Sequence, residues 1–583
     1  MRMEAAVPMS GELSAPLRRS RLAIGGVAVF SGLVNLLALA SSLYMLQLYD
    51  RVLPAHSVPT LVGLSLLMLG LYFFLGLFEW LRARIMSRIA ARLDRDLRTR
   101  VFGLVLALPL RSRAGQDALQ PVGDLDQVRG FLSGPGPVAL IDLPWMPLYL
   151  ALVYLLHPWL GVLALAGALV LIGLTVLTEM SSRAPARASS GSAAKRRVFL
   201  EAGRRNAEVI RALGMEKRLS VLWSALGDRH LGHHLASSDI AGGYAAVSRV
   251  VRLVIQSAVL GLGAFLVIVG EATGGVMIAA SILSSRALAP VELAIANWKA
   301  FLAARNSATR LAALLVAHPE RPSMMALPRP STSLSVEGLW VAAPGRDQPI
   351  LRNVSFTLAA GSALGVIGPS AAGKSTLARA LVGAWPALRG SVRLDSAALD
   401  QWSPQALGEH VGYLPQDIEL FDGTVAENIA RFAPDAQAPA IIAAALMADI
   451  QEMVLRLPAG YETRIGEGGA VLSAGQRQRL ALARALFGEP FLVVLDEPNS
   501  NLDSAGDAAL ARAITTARSR GAIVVIVAHR PSALAGCDQV LVLADGQVQA
   551  FGPRDEVLQA VLQPAQGGPP PARFKVVAEG AAP

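Results

Sequence analysis

The chain has one cysteine, Cys537, in 583 residues. A single thiol excludes an intramolecular disulfide framework and any cysteine-rich zinc site. Charged side chains are scarce at 16%, whereas 53% of the residues are hydrophobic and the mean hydropathy is +0.46. Soluble domains carry roughly 45 to 50% apolar residues, so part of this chain is solvated by lipid. Aromatics are few, at 5%, and the basic residues behind the net charge of +10 are not interleaved with them on one domain. That pattern does not fit a nucleic-acid surface, and no nucleic acid is expected as a partner. The basic residues cluster beside apolar stretches instead, as membrane topology requires.

A cleavable leader is not expected. Arg2, Arg18, Arg19 and Arg21 precede an apolar run, but that run extends from Leu22 to Leu48, longer than the about 7 to 15 residues of a signal-peptide core. Tyr49-Asp50-Arg51 stands where small residues would mark cleavage, which predicts a retained first membrane helix.

A bilayer core of about 30 Å takes about 20 apolar residues in helical form. Six runs satisfy this: 22–48, 60–81, 137–156, 160–178, 250–270 and 274–290, although Arg252 lies inside the fifth and Arg286 and Glu292 border the sixth. Ten arginines fall between Arg82 and Arg129, and eight Lys or Arg residues between Lys195 and Arg218, whereas 49–59 holds only Arg51 and 157–159 none. The positive loops face the cytoplasm, which places both termini there. Within those loops Ile85–Leu106 and Val198–Leu226 keep apolar residues at three- and four-residue spacing, so they read as membrane helices continuing into the cytoplasm.

Beyond Arg310 the hydropathy changes and a stretch rich in proline and serine follows. The expected organisation is a cytoplasmic segment 1–20, an all-α transmembrane domain of six helices over 21–315, a linker 316–333, an α/β domain over 334–565 and a disordered tail 566–583. The α/β assignment rests on short β-branched runs, such as Leu364–Ile367, Phe491–Leu495 and Ile523–Val527, alternating with helical patterns.

Gly368-Pro369-Ser370-Ala371-Ala372-Gly373-Lys374-Ser375-Thr376 fits G-x-x-x-x-G-K-[ST] between an apolar strand, Ala363–Ile367, and a helical pattern, Thr376–Val382. Glycines let the backbone wrap a triphosphate, and successive N–H groups with the helix N-terminus bind its charge. Lys374 would reach the β- and γ-phosphates, and Ser375 would ligate Mg²⁺. Downstream, Phe491–Leu495 ends in Asp496 and Glu497. Asp496 is placed to hold the Mg²⁺ hydration shell and Glu497 to polarise an attacking water.

Between these sites Leu472-Ser473-Ala474-Gly475-Gln476 resembles the LSGGQ motif of ATP-binding cassette (ABC) transporters. Gln416 in Tyr413-Leu-Pro-Gln, Asp503 in Ser500-Asn-Leu-Asp and His529 in Val527-Ala-His-Arg resemble the family's Q-loop, D-loop and switch histidine, in the family's order. The resemblance implies that two cassettes sandwich two ATP molecules, each held by one chain's phosphate loop and by the segment holding Ser473, Gly475 and Gln476 of the other. Asp503 would help to bind the nucleotide, His529 would contact the γ-phosphate, and Gln416 would link Mg²⁺ and the water to the membrane helices. Two positions depart from the pattern. Ala474 replaces a glycine, which is expected to modulate the site, and Ala343 stands where an adenine-stacking aromatic is common, leaving Trp340 as a candidate for that stacking.

One membrane block fused ahead of one cassette looks like a half-transporter exporter, for which a homodimer is the simplest assembly. Tyr44–Pro54, Arg205–Ile210, Met277–Leu283, Arg286–Glu292 and Asp496–Asp503 resemble type 1 secretion exporters of the protease, lipase and S-layer protein branch. That resemblance implies an inner-membrane exporter of a polypeptide with a C-terminal, uncleaved signal. It also implies docking to a periplasmic membrane fusion protein and a TolC-like outer-membrane channel. An N-terminal peptidase-like domain, present in some relatives, is not expected. Two other readings stay open: an exporter of lipid or small molecules, and a low-turnover regulatory or scaffolding membrane protein.

Overall fold

The computed structural model describes residues 11–111, 119–320, 325–502, 504–528 and 534–562. Contacts divide it into a first unit ending at Pro319 and a second beginning at Glu320.

In the first unit, six helices among the described residues are long and apolar enough to cross a membrane: Arg21–Ala55, Val58–Arg111, Gly136–Leu156, Pro158–Arg205, Glu216–Val269 and Gly274–Ala296. Five of the six runs expected from the sequence fall within one of these, and 250–270 does so up to Val269, the helix ending there with Gly270 as its cap. The first helix passes through a π-helical segment, Leu48–Val52, and the chain turns at His56, in a left-handed conformation, before the second begins. The second, fourth and fifth helices run 54, 48 and 54 residues. At 1.5 Å per residue these are about 72 to 81 Å long and extend far beyond a bilayer core.

Ile85–Leu106 is accordingly one uninterrupted part of the second helix. Val198–Leu226, expected to be membrane helices continuing into the cytoplasm, holds the end of one such helix and the start of the next, with a break between them. The fourth helix stops at Arg205, a short helix Ala207–Ala212 follows, and the fifth starts at Glu216. Asn206 leaves helical geometry and Gly214 takes φ +61°, a conformation in which glycine carries no Cβ penalty. The helical spacing persists on both sides of this reversal, which is why periodicity alone did not show it.

The helices pack through small residues, as membrane helices do. A Cβ on Gly167 would lie 2.6 Å from Ile255 Cδ1, and one on Gly263 would lie 2.7 Å from Met277 Cγ. Leu160, Ala164, Leu171, Val259, Ala280, Leu283 and Leu288 form the core around these contacts. Arg252 and Glu292, which interrupt the fifth and sixth runs, form an ion pair with each other, and Arg252 Nη1 donates to Ser285 Oγ at 3.2 Å. The segment 1–20, for which no helix was expected, contains a helix, Gly11–Arg19, whose Leu13 is buried with Leu93, Leu97, Leu104 and Leu311.

The second unit contains two sheets. Strands β1 (Ser333–Ala342), β2 (Pro349–Ala359), β4 (Arg389–Leu394) and β5 (Ala397–Ala398) form an antiparallel sheet in the order β2-β1-β4-β5. The other has the order β10-β9-β3-β8-β7-β6, from β3 (Ala363–Ile367), β6 (Val411–Leu414), β7 (Leu492–Asp496), β8 (Ile523–Val527), β9 (Gln539–Ala544) and β10 (Gln547–Pro553). All its pairings are parallel except β9 with β10. Strands β7 and β8 are buried along their whole length, which accounts for their unbroken Val, Ile and Leu. Apolar clusters cover both faces: Leu480, Val493, Leu495, Val524 and Ile526 on one, and Leu364, Val366, Leu377, Val494 and Val525 on the other. The expected tail 566–583 lies outside the described residues.

Candidate functional site

The phosphate loop leaves β3 and enters the helix Lys374–Leu381 at the C-terminal edge of the parallel sheet, where open α/β sheets bind ligands. Two glycines make its path possible. Gly368 has φ +154°, and a Cβ there would sit 2.0 Å from the Leu543 carbonyl oxygen; Gly373 has φ +99° and lies against Leu351. Ala371 also adopts a left-handed conformation, at φ +66°. Pro369, Ser370 and Ala371 are exposed, whereas Ala372, Lys374 and Thr376 are buried, so the loop presents its crest to solvent and anchors its base.

Lys374 Nζ donates to the carbonyls of Gly368 and Pro369 at 2.8 and 2.9 Å, curling back over the loop. Burial lowers its pKa, and the charges of Glu497 and then Asp496 oppose that shift. An ammonium held over the loop in this way is a ready partner for an anionic phosphate.

β3 and β7 flank β8, which brings Asp496, at the end of β7, beside the loop: Ser375 Oγ donates to Asp496 Oδ1 at 3.3 Å. Asp496 is 1% exposed, and its Oδ2 is buried without a hydrogen-bond partner among the described residues. Leaving such a group unsatisfied costs about 1 to 3 kcal/mol or more. Burial raises the Asp496 pKa, the Ser375 hydrogen bond opposes this, and the charge of Glu497 adds to the rise. A buried carboxylate oxygen and a hydroxyl are hard donors of the kind Mg²⁺ prefers, so the residues fit that ion.

Glu497 follows in a left-handed conformation, φ +52°, with its N–H donating to the Val527 carbonyl at 3.0 Å. A non-glycine residue held there costs about 1 to 2 kcal/mol, so its surroundings must fix it. Gln478 does part of this. It is 3% exposed, and its Nε2 donates to the carbonyls of Glu497 and Pro498 at 3.2 and 2.6 Å.

Gln478 belongs to the helix Ala474–Leu486, whose first turn is the LSGGQ-like segment. Ser473 is its N-cap and accepts from Gln476 N at 3.3 Å, while Gln476 Oε1 accepts from Ser473 N at 2.8 Å. This reciprocal capping box fixes the turn and leaves the following N–H groups pointing outward. At the other end Arg431 donates to the carbonyls of Arg484 and Ala485 at 2.9 and 3.0 Å, and burial lowers its pKa to about 10.

The fold thus brings together Gly368 to Thr376, Asp496 and Glu497, and it ties the helix begun by Ser473, Gly475 and Gln476 to the same turn. Gln416 is exposed just beyond β6, and its side chain makes no hydrogen bond among the described residues. Asp503 and His529 lie outside the described residues. Trp340 is half-buried in β1, paired with Arg389 of β4, in the antiparallel sheet. Gln478 and Arg431 were not singled out by the sequence. Both act through backbone carbonyls, and a buried amide or guanidinium with that task carries no pattern of its own.

Comparison with known proteins agrees with this architecture. Residues 24–291 match the family model for the ABC transporter transmembrane region, and residues 351–500 match that for the ABC transporter. A type I secretion system ATP-binding protein, PrsD of Rhizobium meliloti (strain 1021), is 55% identical over 97% of this chain and 97% of its own length. A cyclolysin secretion/processing ATP-binding protein, CyaB of Bordetella pertussis, is 30% identical over 93% of this chain and 77% of its own. A solved structure of a bacterial Atm1-family ABC exporter with ATP bound superposes with a TM-score of 0.81 over 93% of this chain and 96% of that one, at 22% identity, a likeness of fold. The phosphate loop, the acids at the end of β7, the six membrane helices and a relative this similar along its whole length make this chain a member of the ABC transporter family, among the type I secretion ATP-binding proteins.

Proposed function

We propose that this chain is the inner-membrane ABC component of a type I secretion machine, a homodimer that uses ATP hydrolysis to export an unfolded polypeptide bearing a C-terminal signal. The observation that carries this reading is the 55% identity, over 97% of both chains, to a type I secretion system ATP-binding protein. A periplasmic membrane fusion protein and a TolC-like outer-membrane channel would complete the path, and membrane lipid surrounds the first unit.

The site residues have distinct tasks in this reading. Gly368 to Gly373 wrap the triphosphate with backbone N–H groups, and Lys374 exchanges its two carbonyl partners for phosphate oxygens. Ser375, Asp496 and Gln416 would hold Mg²⁺, which supplies neutralisation of charge on the β- and γ-phosphates. Glu497 orients the attacking water and draws its proton, with His529 at the γ-phosphate. Ser473, Gly475, Gln476 and Asp503 would meet the nucleotide bound by the other protomer, so each site is completed by two copies.

The test is ATP hydrolysis by the purified dimer in lipid nanodiscs, with and without the C-terminal segment of a repeat-rich secreted protein encoded beside it. Stimulation by that segment and not by a scrambled one is expected. No response to such segments, together with stimulation by a lipid, would assign the chain to lipid export instead.

A further inference from the structure

The helix Ala474–Leu486 carries at its start the turn that would face the other protomer's nucleotide, and one turn further in it carries Gln478. All the hydrogen-bonding capacity of the Gln478 amide is used. Its two N–H groups donate to the carbonyls of Glu497 and Pro498, and its Oε1 accepts from Asn501 Nδ2 at 3.0 Å and Ser500 Oγ at 3.4 Å. One buried side chain therefore grips the loop 497–501 at four points. A second contact lies beside it, since a Cβ on Gly475 would sit 3.0 Å from the Asn501 carbonyl oxygen.

We propose that Gln478 is a positioning residue: it holds Glu497 in its left-handed turn and ties that turn to the Ser473–Gly475 segment of the same chain. Docking of one protomer's nucleotide on that segment then shifts the catalytic glutamate of the other ATP site. This rests on the reading of Glu497 as the group that orients the water. The chemistry requires a neutral amide at this place, because both donors and both acceptors are needed at once. A carboxylate there keeps the bonds from Asn501 and Ser500 but sets negative charge against two carbonyl oxygens. A thioether keeps the volume and loses all four bonds.

The experiment compares Gln478→Glu, Gln478→Met, Asn501→Ala and Glu497→Gln in the full-length dimer in nanodiscs. It measures kcat, KM and the Hill coefficient for ATP, the affinity for mant-ATP, and the melting temperature. Displacing a reacting group by about 1 Å costs up to about 100-fold in rate. Both Gln478 variants are therefore expected to lose about 10- to 100-fold in kcat and to show a Hill coefficient near one, with mant-ATP affinity kept within about twofold. Asn501 is exposed, so Asn501→Ala tests the network without opening the core, and it should move the same quantities in the same direction by less.

A kcat within about twofold of the native value and an unchanged Hill coefficient in either folded Gln478 variant overturn the proposal. So does a loss in Asn501→Ala that appears equally in affinity and melting temperature, because that marks a general structural role. Should the Gln478 variants not fold, Asn501→Ala alone decides by the same criteria. Native-rate hydrolysis by Glu497→Gln removes the underlying reading of the site, which is a separate result.

Discussion

Arg82 of the second membrane helix and Asp142 in the first half of the third meet in a largely buried pair, with Arg82 Nη1 at 3.0 and 2.9 Å from the two carboxylate oxygens. The first helix joins them: Ser31 Oγ accepts from Arg82 Nη1 at 2.9 Å, and Asn35 Nδ2 donates to Asp142 Oδ1 at 3.0 Å. Three helices are thus pinned at one level by a hydrogen-bonded charge pair.

Removing one partner strands the other. Arg82→Met or Asp142→Leu alone should destabilise the protein by about 3 to 5 kcal/mol, while the double variant, which leaves no lone charge, should recover much of the loss. Melting temperatures of the four proteins in detergent, taken as a double-mutant cycle, measure this coupling.

Asp50, in the π-helical segment, accepts from Thr273 Oγ1 at 2.7 Å and from Gly275 N at 2.8 Å, capping the sixth helix from the end of the first. Asp50→Ala should cost about 1 kcal/mol, the usual value of a lost N-cap. Gly275→Ala should cost a similar amount, because its Cβ would lie 2.5 Å from the Asp50 carboxylate and displace that side chain from the same two donors. Thermal melts of both variants are the check.

Gly368→Ala should abolish nucleotide binding, because the new methyl group would meet the Leu543 carbonyl oxygen at 2.0 Å and the loop must shift to avoid it. Glu497→Gln should retain binding while hydrolysis falls by about 100-fold or more, the usual range for a lost general base. Mant-ATP titration and phosphate release separate the two phenotypes.

The Cys537 thiol is buried, and its pKa is pushed up to about 12, with burial the largest cause and the charge of Asp538 adding to it. The thiolate is the reactive form. The native protein should therefore leave maleimide unreacted near neutral pH and take up one equivalent only on unfolding, as intact mass would show.

Much of this fold was legible because its signals are long or rigid. Six apolar runs, β-branched strands such as Ile523–Val527 and the spacing from Gly368 to Ser375 each leave few conformational choices. The reversal at Asn206 and Gly214 escaped because helical periodicity resumes at once beyond it. The Arg252–Glu292 pair counted against the last two spans when each charge was weighed alone, yet each is the other's partner in the folded chain. Gln478 was invisible for a related reason: its importance lies in the backbone carbonyls it reaches, and those belong to a loop about 20 residues further along the chain.

The helix Glu216–Val269 contains no proline, and the two in Val58–Arg111, Pro59 and Pro109, lie in its first and last turns. Each therefore behaves as a stiff lever rather than a jointed arm. For a rod about 80 Å long, pivoting by about 5° about one tip sweeps the opposite tip through about 7 Å. Slight angular play can in this way widen or narrow an aperture without a single backbone hydrogen bond having to break.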